Sequence, residues 1–163
     1  GAGCVTVFTW WVFRPYGLAP LLLTGSIILM LGAGFVNLLV IPEPAWMRTA
    51  SPLYRVGLAG RTLAYGWAAF ESFRYYRMLL RRTRLGLAQA SAATRMRLWS
   101  LAAGASFVNF LIVAGSLVLG SGQTHSKGLI AVYSAVGMLS AAALWPAFFP
   151  LRLRWQGQSR LAS

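Results

Sequence analysis

Residues 74–97 hold seven of the fifteen basic residues, Arg74, Arg77, Arg81, Arg82, Arg84, Arg95 and Arg97, and no acid. Apolar stretches lie on both sides. A short, strongly positive segment between apolar runs is the clearest orientation signal a membrane chain carries. Such segments are retained on the cytoplasmic side, where arginines meet anionic headgroups. These arginines are therefore assigned to anionic lipid headgroups or to the acidic surface of a partner, and 77–97 is expected to form a basic cytoplasmic joint.

The composition agrees with a chain covered by lipid. Apolar residues make up 58% and charged residues 10% of the sequence, with only two acids, Glu43 and Glu71. A soluble surface needs mixed charge. The net charge of +13 raises the question of nucleic acid. The arginines, however, cluster at the ends of apolar spans and are not spread over a polar fold, so nucleic acid is not expected as a partner. The single cysteine, Cys4, allows no internal disulfide.

The pattern predicts an all-α, polytopic transmembrane bundle in one membrane domain, 1–163, with four full spans plus a partial or interfacial N-terminal helix. Residues 2–14 are apolar but too short to cross roughly 30 Å of hydrocarbon, which needs about 20 helical residues. Because the chain begins with Gly1, this tract reads as a processed start or as the end of a spanning helix cut short. Trp10 and Trp11 before Arg14 suit an aromatic belt at a positive edge.

Residues 18–41 contain no charge and form the clearest span, closed by Pro42 and Pro44, with Trp46 at the opposite interface. Residues 53–76 are interrupted by Arg55, Arg61 and Glu71. They are read as a span because Arg14 and the basic joint both belong inside, and because Gly60, Ala64, Ala68 and Ser72 form a small-residue stripe for close helix packing. Residues 98–119 and 129–149 supply two more spans around a polar outer loop, and the basic tail 151–163 returns to the cytoplasm. A partial repeat relates GAGFVNLLVI at 32–41 to GASFVNFLIV at 104–113. It reads as a duplication or as two helices using one local solution.

Four residues stand out as candidate ligand or interaction sites: Arg61, Trp67, Asn37 and Asn109. A guanidinium within a span must snorkel, pair or face a watery cavity, so Arg61 is either structural or a ligand contact. Glu71 is roughly 15 Å along the same helix and cannot be its partner; it is expected to meet Arg74 or Tyr75 instead. The amides of Asn37 and Asn109 can join helices or contact a ligand, and Trp67 can line a cavity. His125, the only histidine, falls in the polar outer loop.

No residue constellation suits a metal cluster, a phosphate loop or a base and nucleophile pair. An enzyme is not expected, and no cofactor is required. Bound lipid is expected, and a pigment is compatible with the aromatic content.

The pattern ESFRYYRMLLRRTRLGLAQASAATRMRLW, followed by an apolar helix and preceded by VFTWWVFRP, resembles the arginine-rich joint of bacterial multi-helix membrane modules of sensor type. The resemblance covers about the first 110 residues. It implies a longer bundle in a bacterial cytoplasmic membrane, often coupled to a signalling domain, which is not found before Ser163. The leading expectation is thus a noncatalytic integral membrane subunit or assembly module held among other membrane proteins. A ligand-binding sensor is second and a small transporter third.

Overall fold

The computed structural model describes residues 1–14, 16–40, 51–87, 89–118 and 127–148. The expectations about Pro42, Pro44, Trp46, His125 and the basic tail, and about the side chain of Trp145, lie outside the described residues.

Five helices account for nearly all of the described chain: α1 (Ala2–Phe13), α2 (Leu18–Val40), α3 (Pro52–Arg84), α4 (Ala90–Val118) and α5 (Lys127–Phe148). The long third helix is the organising element. It packs against α1, α2 and α4, while α1 also touches α2, and α5 packs on α4. α3 starts where Ser51 accepts a hydrogen bond from the Leu53 N–H at 3.2 Å and Pro52 supplies a pre-set backbone angle.

The other end of α3 is closed by a glycine. Gly86 has φ +72°, its N–H donates to the Thr83 carbonyl, and the Leu87 N–H donates to the Arg82 carbonyl. This paired bonding satisfies carbonyls that the helix end would otherwise leave open. It also turns the chain within a few residues, so the basic segment 77–97 is helical up to Arg84 and again from Ala90. An L side chain in the left-handed region costs roughly 1–2 kcal/mol. Gly86→Ala is therefore expected to lower stability by about 1 kcal/mol, read as a fall in the thermal midpoint in detergent. No change would show that the turn does not hold this geometry.

The expectation of four full spans is not met. Among the described residues only two helices, Leu18–Val40 and Ser91–Val118, are long and apolar enough to cross a membrane. α3 has ample length at 33 residues, but Arg55, Arg61, Glu71 and five arginines from Arg74 to Arg84 make it too polar. In α5 the described apolar run, Ala131–Ala142, is too short. The error lay in using charge topology to promote 53–76 to a span. The small residues of that segment serve packing within the bundle and say nothing of lipid contact.

The core is built from close backbone approach and not from large side chains. Ile27, Ala64, Ala68 and Ser72 have no exposed surface. At the α2–α3 crossing a Cβ added at Gly34 would lie 2.8 Å from the Gly57 Cα, and one added at Gly57 would lie 2.5 Å from the Gly34 Cα. Only glycines allow the two backbones to meet this closely. Three fully buried hydroxyls are satisfied inside their own helices: Thr6 donates to the Ala2 carbonyl, Thr9 to the Val5 carbonyl and Ser72 to the Ala68 carbonyl. Such back-bonding lets a polar side chain enter an apolar setting without a partner from elsewhere.

The outer faces have the opposite character. Of the most apolar 18-residue windows, only 17% of that in α2 and 11% of that in α4 is buried. A core helix of a water-soluble protein of the same composition would be largely covered. Leu29 at 76% and Leu39 at 69% exposure illustrate how fully α2 turns its bulk outward.

Candidate functional site

The most distinctive surface lies on the C-terminal third of α3. Positions 70, 73, 74, 77, 78, 81, 82 and 85 recur at three- and four-residue intervals, which places them on one helix face. There Arg74, Arg77, Arg81 and Arg82 alternate with Phe70, Phe73, Met78 and Leu85 along an open groove of about 610 Å³. All four arginines are exposed. Like charges one turn apart repel, and the groove lining contains no acid to offset them. Arg84, Arg95 and Arg97 are also exposed near the same turn but do not line this groove.

The one described carboxylate is engaged elsewhere. Arg14, the residue that ends α1, donates from Nε to Glu71 Oε1 at 3.0 Å. The expected contact of Glu71 with Arg74 or Tyr75 is thus replaced by a long-range pair between α1 and α3. The side chain of Glu71 is 9% exposed and that of Arg14 41%. The ring of Phe13 meets Tyr75 edge-on at 5.7 Å beside it, and a smaller cavity of about 360 Å³ opens among Phe13, Arg14, Glu71 and Arg74. Sequence reasoning missed Arg14 as a partner because the pair spans 57 positions. The scarcity of acids was the usable clue: two acids among so many arginines make each carboxylate a prized partner.

Arg61 and Asn37 come together in a second groove. Its volume is about 900 Å³, and Tyr54, Tyr65 and Phe110 share its lining with them. Tyr65 follows Arg61 by one turn and stacks on Phe110 with ring centroids 5.4 Å apart. Arg61 itself is exposed, whereas Asn37 is 2% exposed. Trp67 and Asn109 do not line this groove. Each is half-buried, on α3 and α4 respectively, and Oδ1 of Asn109 is buried without a hydrogen-bond partner among the described residues.

The small-residue stripe lies inside the bundle. Gly60 abuts Met30 and Leu31 of α2, and Ala64, Ala68 and Ser72 continue its buried line. Gly66, on another side of α3, faces the ring of Phe107 from α4. The two similar windows at 32–41 and 104–113 have unlike surroundings: Phe35 is 61% exposed, whereas Phe107 packs on Gly66.

Comparison with protein-family models, with curated proteins and with solved structures gives no match. The sensor-type resemblance thus acquires no support from relatives, and the functional argument rests on the chain's own geometry.

Proposed function

We propose that this chain is a noncatalytic subunit or assembly module of a bacterial membrane complex, held in the cytoplasmic membrane with its arginine-rich end toward the cytoplasm. The observation that carries the reading is the contrast between the faces of α2 and α4. Both helices are long and apolar enough to cross a membrane, yet only 17% of the apolar window of the first and 11% of that of the second is buried within the chain. Lipid or other apolar helices satisfy such faces without cost. The arginines beyond them fit the anionic headgroup layer or an acidic neighbour.

Extraction of the native membrane in mild detergent, followed by native mass spectrometry, tests this reading. A stoichiometric larger assembly containing the chain is the expected result. Recovery as a solitary, monodisperse protein, or absence from the membrane fraction, would overturn it.

The Arg61 groove favours a second reading, a sensor that binds a small ligand. Its size suits one ligand, and it combines a guanidinium with tyrosine and phenylalanine rings. In that case Arg61→Ala preserves the fold and assembly while abolishing ligand response. Loss of folded protein without a separable defect in response would remove the sensor reading.

A further inference from the structure

We infer that the arginine face of α3 is a binding site for a phospholipid carrying two phosphate groups joined by a short bridge. The inference rests on the membrane reading above and specifies which lipid that end of the molecule holds. Its starting point is the uncompensated charge: four exposed guanidiniums share one groove, and the described carboxylate, Glu71, already binds Arg14. An anion seated in the groove relieves that repulsion.

The spacing selects the anion. Arg74, Arg77 and Arg81 follow one another at three- and four-residue steps, and Arg82 stands to the side of Arg81 on the same groove. From Arg74 to Arg82 the row extends roughly 12 Å along the axis by helical rise. Guanidinium forks bind phosphate oxygens through paired hydrogen bonds, and one phosphate meets one end of a row this long. Two phosphates linked through a short bridge serve both ends.

The apolar lining selects a lipid over a free polyphosphate. Phe70 and Phe73 are exposed and lie on the side of the arginines that leads back toward the body of the bundle. A headgroup seated on the arginines thus sends its acyl chains along these rings. Met78, between Arg77 and Arg81 in the chain, gives the bridge a pliable apolar floor.

The test uses the full chain purified in detergent and reconstituted into phosphatidylcholine bilayers containing either diphosphatidylglycerol or phosphatidylglycerol at equal total charge. Lipids retained on release are identified by native mass spectrometry. The expected result is one retained diphosphatidylglycerol, preferred over phosphatidylglycerol by about tenfold or more, the discrimination of one charge-assisted contact. Arg77→Gln with Arg81→Gln removes the two central guanidiniums of the row and abolishes the preference, whereas Arg95→Gln with Arg97→Gln leaves it intact. All four positions are exposed, so circular dichroism should show unchanged helix content.

Equal retention of the two lipids at matched charge would overturn the inference, as would equal loss in both double variants. Displacement of the retained lipid by an equal concentration of added inorganic pyrophosphate would also overturn it. These outcomes are separable from failure of the membrane reading, in which the native chain is absent from the membrane fraction or lacks a larger assembly.

Discussion

Replacing Gly57 with valine is expected to destabilise the bundle by about 3 kcal/mol, at the upper end of the usual cost of overpacking a filled interior. The obstacle is backbone. A Cβ at this position meets the Gly34 Cα at 2.5 Å and the Gly34 nitrogen at 3.1 Å, and neither atom can rotate away as a side-chain tip would. α2 and α3 must separate, which opens contacts along the buried line from Gly57 to Ser72. The opposing effect is small, since replacing a helical glycine gains about 1 kcal/mol at most in propensity. Gly25→Ala isolates that gain, because nothing lies within 4 Å of a Cβ there. Thermal midpoints in detergent should therefore fall for Gly57→Val and hold or rise for Gly25→Ala. Similar tolerance at both positions would refute the close crossing.

Arg14→Ala is expected to destabilise the bundle by about 2 kcal/mol. Removing one partner of a fully buried ion pair costs roughly 3–5 kcal/mol, because the other charge is left without compensation. The figure is reduced here because Arg14 is 41% exposed and water already screens part of the interaction. The damage should be asymmetric. Arg14→Ala strands a carboxylate whose side chain is 9% exposed, whereas Glu71→Gln leaves a neutral amide of similar size and returns Arg14 to water. The pair also joins the end of α1 to the middle of α3, so Arg14→Ala should speed hydrogen exchange in Ala2–Phe13 more than in α4. A double-mutant cycle with no coupling, or equal costs for the two single changes, would show that the pair does not anchor α1.

Both effects depend on distant residues meeting, and this marks the boundary of what could be read from the chain. Helical periodicity and the absence of charge made α2 and most of α4 legible, because a segment's own composition decides whether it can be an apolar helix. The segment 53–76 was harder. Its charges and small residues describe both a polar span and a central packing helix, and α3 extends well beyond it to Arg84. Charge topology chose the span, and the length and polarity of α3 do not support that choice.

The candidate sites show the same division. The face joining Arg74, Arg77, Arg81 and Arg82 follows from helical spacing once the helix is known to continue through them. That Arg61 and Asn37 share a groove does not follow from any spacing, since they belong to different helices. Nor does the contrast between Phe35, turned outward, and Phe107, set against Gly66, although both stand in matching sequence windows.

Composition and local pattern settle the helical class, the apolar character of α2 and α4, and the concentration of positive charge around the turn at Gly86. Each is a property of near neighbours in the chain. Packing of the folded bundle makes α3 the central helix, brings Gly34 against Gly57 and gives Glu71 to Arg14. Those outcomes depend on which helix faces approach and at what distance. Local composition limits these choices but does not select among them, because several pairings of small-residue faces and charged groups are available before the bundle forms.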